Sequence, residues 1–287
     1  MTMKILFYFV SLIPKPVFVV LVDIYMSIRV YKYFSSYKVT LANIKIAYPT
    51  RNKNDVELLS KLSIRESIIS GFESVYTWGR NEHEVNKKIL RIENNFLIDC
   101  LKENGLICVS FHSRSVDMLL SWMNSKQTTH SLYKKVKNKT LNNFIKRRRQ
   151  SGISKCHETT IGGVRQIYRA LKNKNIVCFA ADQVPQRGLG EHLNFFNRAA
   201  YSTTLVQSLA LKTLAPVIYF YIQTNQDNKI CISLKTCSDS IYDDSKHKLL
   251  INQDIENFIN DRPSDYSWEY KRFKRSLGSP EDPYKLL

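Results

Sequence analysis

Three apolar runs, broken only by Ser110, constrain this chain more than any other feature. They cover residues 106–111, 176–181 and 216–222. Each is bounded by turn residues and is too short for a typical helix, so each reads as a strand covered on both faces. A fourth segment, 229–235, alternates like a half-buried strand. Helical spacing fills the intervals at 118–123, 163–171 and 203–213. Upstream, Val56, Leu59, Leu62, Ile69, Phe72 and Val75 share a broad apolar face over 55–78. A further helix over 96–102 ends at Asn104-Gly105. Apolar strands alternating with helices predict an α/β layer fold with a mainly buried sheet. The 287 residues suffice for one large domain or two small ones.

The most hydrophobic stretch lies at the N-terminus, residues 4–26, in two halves around Pro14-Lys15-Pro16. Neither half alone reaches the roughly 20 apolar residues that span a bilayer. Placing Lys15 in hydrocarbon would cost about 3 kcal/mol. No small-residue cleavage site follows; Asp23, Tyr25 and Arg29 come instead. The expectation is a retained membrane anchor over 1–35, either a kinked span or two interfacial helices. A buried helical hairpin is the alternative. Arg29, Lys32 and Lys38 interleaved with Tyr31, Tyr33, Phe34 and Tyr37 suit a headgroup layer. Residues 36–287 then form the remaining domain.

The net charge of +18 implies an anionic partner: a membrane surface, an acidic protein or nucleic acid. Residues 127–150 hold Lys134, Lys135, Lys137, Lys139, Lys146, Arg147, Arg148 and Arg149 with no acidic residue. Such a run docks an acidic protein, phosphates or anionic lipid, unless it is a solvated helix face. The six cysteines form no C-x2-C pair, and neither a Gly-rich phosphate loop nor a G-x-S-x-G elbow is present.

The candidate chemistry sits at the end of the first strand. His112 follows the apolar run, and Asp117 lies five positions later. An acid-oriented imidazole at a strand end activates a hydroxyl as a nucleophile. Asp182-Gln183 stands just past the second strand, where sites in open α/β sheets gather. Asn194-Phe195-Phe196-Asn197 adds an aromatic wall to a long loop over 180–200. The C-terminal run 266–275 interleaves aromatics and bases. It fits a nucleic-acid patch or an amphipathic helix with Trp268 packed on the body.

In this order, the segments resemble the bacterial lauroyl/myristoyl acyltransferase family of lipid A biosynthesis. An N-terminal apolar segment comes first. Residues 42–49 resemble the family's "Asn-Leu-x-x-x-Phe-Pro" stretch. The His112–Asp117 motif, residues 133–138 leading into an Arg-rich helix, Asp182-Gln183, Phe195-Phe196 and 210–217 follow. Residues 263–274 resemble the terminal "Pro-Glu-x-Tyr-x-Trp-x-x-x-Arg-Phe-Lys" signature. The chain departs from the pattern at Ser113-Arg114-Ser115-Val116, where most members carry Gly-Asn-Trp followed by Glu. It departs again at Asn197, where a glycine is usual.

The resemblance implies a glycerol-3-phosphate-acyltransferase-like mixed sheet flanked by helices. It implies an O-acyltransferase at the inner membrane, facing the cytoplasm, that moves an acyl chain from acyl carrier protein to a lipid A precursor. His112 is then the general base, Asp117 its orienting acid, and Arg149 the oxyanion donor, with Arg148 the register alternative. Arg148, Lys134, Lys137, Asp182 and Arg272 are expected on substrate. No metal, cofactor or nucleic acid is called for. The departures leave room for another acceptor, such as a lysophospholipid or aminolipid, or for an inactive scaffold. A glycerolipid acyltransferase of the Asn-His-x4-Asp type fits less well, because Phe111 stands where that type has Asn.

Overall fold

The structure is a computed structural model that describes residues 2–150, 152–245, 247–278, 282–285 and 287. Residue 1 of the expected anchor lies outside this set. The chain opens with helices α1 (Thr2–Val10), α2 (Lys15–Ser27), α3 (Ser35–Ala47), α4 (Lys53–Gly79) and α5 (Glu82–Asn86). Then come β1 (Ile89–Glu93), α6 (Phe96–Leu101), β2 (Leu106–Ser110), α7 (Val116–Lys126) and β3 (Thr129–Tyr133). They are followed by α8 (Lys139–Arg149), β4 (Lys155–Glu158), α9 (Ile161–Lys172) and β5 (Ile176–Ala180). The remainder is β6 (Gly190–Phe195), β7 (Arg198–Thr203), α10 (Leu205–Thr213), β8 (Val217–Thr224), β9 (Ile230–Thr236) and α11 (His247–Asp261).

Seven strands form one sheet in the order β1-β9-β8-β2-β5-β3-β4, and β6 and β7 pair as a separate hairpin. Every neighbouring pair in the large sheet is parallel except β8 with β9. The three apolar runs are therefore its central strands. Their residues alternate between two layers. Ile107, Val109, Val177 and Phe179 pack with Ile167, Leu209 and Ile255 on one face. Leu106, Cys108, Cys178 and Phe220 pack with Met118, Trp122 and Met123 on the other. Both faces are dry, which is why these strands show no polar alternation.

Several boundaries differ from expectation. The segment read as half-buried, β9, has Ile230 through Leu234 all buried, because β1 pairs along its outer edge. The long loop expected over 180–200 contains β6 and the start of β7. The turn between these strands is made by Phe196 and Asn197 with φ of 44° and 55°. A two-residue hairpin wants positive φ at both positions. The Phe195-Phe196 pair lines no site: both rings are buried, with Phe196 against Tyr48 and Trp268. The 266–275 run is not a helix; it is a series of turns with Trp268 fully packed.

No single helix among the described residues is long and apolar enough to cross a membrane. Helices α1 and α2 meet the length and composition test only as a pair, bent by 86°. One side of this pair lies on α4. Phe7 packs on Trp78, and Phe18 stacks on Phe72 at 4.2 Å. Gly79 permits the contact, since a Cβ there would sit 2.4 Å from the Phe7 carbonyl oxygen. The opposite side exposes Ile5, Leu6, Phe9, Val20, Leu21 and Ile24. Lys15 turns inward to Glu73 at 2.9 Å.

Candidate active site

The site is built by strand register. In the parallel β2–β5 pair, Ser110 lies opposite Ala180. Ala181 N–H continues the ladder to the Ser110 carbonyl at 2.9 Å. Two residues past the paired positions, His112 and Asp182 therefore come side by side at the carboxyl edge of the sheet. Asp182 Oδ1 is 2.8 Å from His112 Nδ1, and its Oδ2 accepts the His112 backbone N–H at 3.1 Å. Both carboxylate oxygens thus serve one residue, which fixes the ring's orientation. With Nδ1–H donating to Asp182, neutral His112 presents Nε2 as an acceptor. The Gln183 side-chain nitrogen lies 3.1 Å from that atom.

Burial pushes the His112 imidazole down, but the charge and hydrogen bond of Asp182 outweigh it, and the net shift is upward. For Asp182 burial acts upward, and the adjoining His112 brings the carboxyl below its usual value. Asp182 is 2% exposed, whereas the His112 side chain is 30% exposed. The dyad thus has a dry end and an open end.

Asp117 is not the acid that holds the ring. It accepts two hydrogen bonds from Arg149, from Nε at 2.7 Å and Nη2 at 3.0 Å. The reason is geometric. Asp117 lies on the first turn of α7, beyond a loop that carries it away from Nδ1, and the last turn of α8 delivers Arg149 to it. The expectation that Asp117 orients His112 is replaced by Asp182 in that position.

The unusual residues between them have structural partners. Arg114 sits in the left-handed region at φ 57°, and its side chain is fully buried. It pairs with Glu66, with Glu73 at 2.5 Å and with Asp265 at 3.7 Å. Ser113 Oγ donates to the Ile222 carbonyl at 2.7 Å. Ser115 Oγ accepts the Met118 N–H at 3.1 Å and caps α7. The C-terminal segment closes the back, where Ser267 N–H reaches the His112 carbonyl at 2.9 Å.

The cleft in front of His112 has a volume of about 1070 Å³. Its inner lining includes Leu119, Leu120, Leu132, Val164, Phe179 and Phe220, and its rim carries Lys134, Lys135, Lys274 and Arg275. Arg149 also lines it. An apolar interior behind a cationic mouth, with one oriented imidazole between them, suits a substrate with a long apolar part and an anionic head.

Two of the residues expected on substrate are engaged elsewhere. Arg148 donates from Nη2 to the Thr77 carbonyl at 2.8 Å and to the Arg80 carbonyl, satisfying the end of α4. Arg272 is 1% exposed. It donates to the Tyr201 carbonyl at 3.1 Å and to Ser202 Oγ at 2.6 Å while lying over the Phe195 ring. Both are framework residues, because the hydrogen bonds their guanidinium groups make go to the protein's own carbonyl and hydroxyl groups. Lys137 is exposed, on the loop before α8, and does not line the cleft. Lys134 does line it, and Asp182 belongs to the dyad rather than to a substrate contact.

The family model for bacterial lipid A biosynthesis acyltransferases matches residues 3–275. The chain belongs to this family. None of the curated proteins compared with it matches. Membership makes the chain an acyltransferase of the lipid A biosynthesis type. Asp182, expected on substrate, and Gln183, given no separate role by the sequence, are the residues that contact the two ring nitrogens of His112. The missing piece was the adjacency of β2 and β5, which no local pattern carries.

Proposed function

We propose that the protein moves a fatty acyl chain from an acyl carrier protein thioester to a hydroxyl of a lipid A precursor at the cytoplasmic face of the inner membrane. The observation that carries this reading is the His112–Asp182 pair opening onto an apolar cleft with a cationic mouth.

Neutral His112 takes the acceptor's proton at Nε2 as the hydroxyl oxygen attacks the thioester carbonyl. Asp182 holds the tautomer and stabilises the imidazolium that forms. Such base catalysis is worth about 10²–10⁴-fold. The oxyanion is met by Arg149, whose guanidinium is aimed by its two hydrogen bonds to Asp117. Collapse breaks the C–S bond, and the imidazolium returns its proton to the departing thiolate. Asp117 is here a positioning residue, one step removed from the reacting atoms. Lys134 and Lys135 offer the anionic head of a glycolipid, or an acidic carrier, a cationic rim.

The exposed apolar side of α1 and α2 supports seating in a membrane interface rather than a full span. Lys15 is no obstacle there, because it faces Glu73 and not the lipid.

The test is His112→Ala in membrane vesicles supplied with acyl-acyl carrier protein and a purified lipid A precursor. Transfer should fall by at least about 10²-fold with the thermal melt unchanged. Retained transfer would remove His112 from the chemistry.

A further inference from the structure

The proton-accepting atom of His112 is already occupied. Nε2 receives the Gln183 side-chain N–H at 3.1 Å. Asp182 and Gln183 are consecutive, and the backbone around them is tied at both ends. Ala181 N–H bonds the Ser110 carbonyl, and Val184 N–H bonds the Tyr270 hydroxyl at 3.1 Å. One short stretch therefore clamps both ring nitrogens, a carboxylate on Nδ1 and an amide donor on Nε2. Asp182 is buried, whereas Gln183 is half-buried on the cleft wall, so only the amide has room to move aside.

A base that takes protons from hydroxyls does not distinguish a lipid alcohol from water. In the hydrolytic side reaction, water oxygen bonds the thioester carbonyl carbon and its proton passes to Nε2. The C–S bond then breaks, and the thiolate recovers the proton, leaving a free fatty acid and a free carrier thiol. We propose that Gln183 guards His112 against this reaction by capping Nε2 until the lipid acceptor displaces the amide. Water has nothing beyond one hydrogen bond to offer in exchange. A lipid acceptor brings binding from the rest of the cleft and can replace the amide. This inference rests on His112 acting as base toward a thioester.

The experiment compares wild type with Gln183→Met, which keeps the length of the side chain and removes the donor. Full-length protein in vesicles is given acyl-acyl carrier protein. Free-thiol release is measured without acceptor, and acyl transfer is measured with a purified lipid A precursor. Losing one hydrogen bond that holds the resting state predicts a rise in the hydrolysis-to-transfer ratio of roughly 2–10-fold. The acid limb of the pH profile should also move upward, because the lost donor favoured the neutral ring. An unchanged or lower ratio overturns the proposal. Gln183→Ala repeats the measurement if the methionine variant melts early. His112→Ala on the Gln183→Met background should abolish the added hydrolysis; hydrolysis that persists is not driven by the base and also overturns it. Full transfer by His112→Ala alone would instead overturn the assignment of the base.

Discussion

Two loops leave neighbouring strands at the same edge of the sheet and are held in opposite ways. The loop after β2, residues 111–115, is fixed by buried charge: Arg114 meets three carboxylates, and Lys15 adds a fourth link through Glu73. Beyond Asp182, the loop after β5, residues 181–189, is held by single hydrogen bonds rather than by a charge cluster. Examples are Val184 N–H to Tyr270 and the Arg275 guanidinium to the Pro185 carbonyl at 3.1 Å. The first loop places the His112 imidazole; the second sets Asp182 and Gln183 against its two nitrogens and forms much of the cleft wall. Rigidity is concentrated where a small displacement of the imidazole would be most costly. Looser attachment is found along the wall of the cleft.

The largest expected effect breaks the link between the two loops. Asp182→Asn should lower turnover by about 10²–10⁴-fold, since an amide stabilises neither the tautomer nor the imidazolium. The sign of its pH effect is fixed by the present pair. Asp182 raises the His112 pKa in the folded protein, so the acid limb of the wild-type profile lies above that of an ordinary imidazole. In Asp182→Asn the limb should shift to lower pH, and a profile that stays in place would disconnect the two residues. Stability follows the same linkage. The depressed Asp182 carboxyl contributes stability above its unfolded pKa, and this is lost as pH falls through the folded value.

Next in size is the fixed loop itself. Arg114→Ala removes the buried cation shared by Glu66, Glu73 and Asp265 and leaves them only Arg65, Lys15 and Arg262 at the edge of the cluster, and removing one partner of a buried pair typically costs about 3–5 kcal/mol. A denaturant melt should show it, and a loss below about 1 kcal/mol would refute the view that charge holds this loop. Smallest is Tyr270→Phe on the other side. It removes one hydrogen bond to Val184 N–H, with an expected cost of about 0.5–1.5 kcal/mol. If the two variants were equally destabilised, the contrast between the loops would fail.

The sequence carried the central sheet well, because dry strands write themselves as near-continuous apolar runs. Residues 106–111 and 176–181 became β2 and β5 with ends within one residue. It carried His112 for the same reason, since a strand end is visible locally. It did not carry the identity of the orienting acid. The nearer candidate in sequence, Asp117, is turned to Arg149, and the true partner lies 70 residues away. The short strands β3 and β4, at one end of the sheet, were hidden too: Lys155-Cys156-His157-Glu158, at the edge, has no apolar signature and is a strand only because β3 pairs with it. Arg272 and Arg148 show the remaining limit. A basic residue in a run of basic residues reads as free to meet a substrate, and only tertiary contacts reveal that it is turned to the protein's own carbonyl and hydroxyl groups.

The close approach of Phe7 to Gly79 bears on how the protein can be handled. An N-terminal segment rich in exposed apolar side chains invites removal to improve solubility. Here the inner side of α1 and α2 is the lid over Phe72 and Trp78 and carries the ammonium group that faces Glu73. Cutting the chain after Ser27 would trade one greasy surface for another and take the outer of two cations from Glu73, leaving it to Arg114. The shortened protein should therefore precipitate more readily than the full chain, and detergent or lipid is the better remedy.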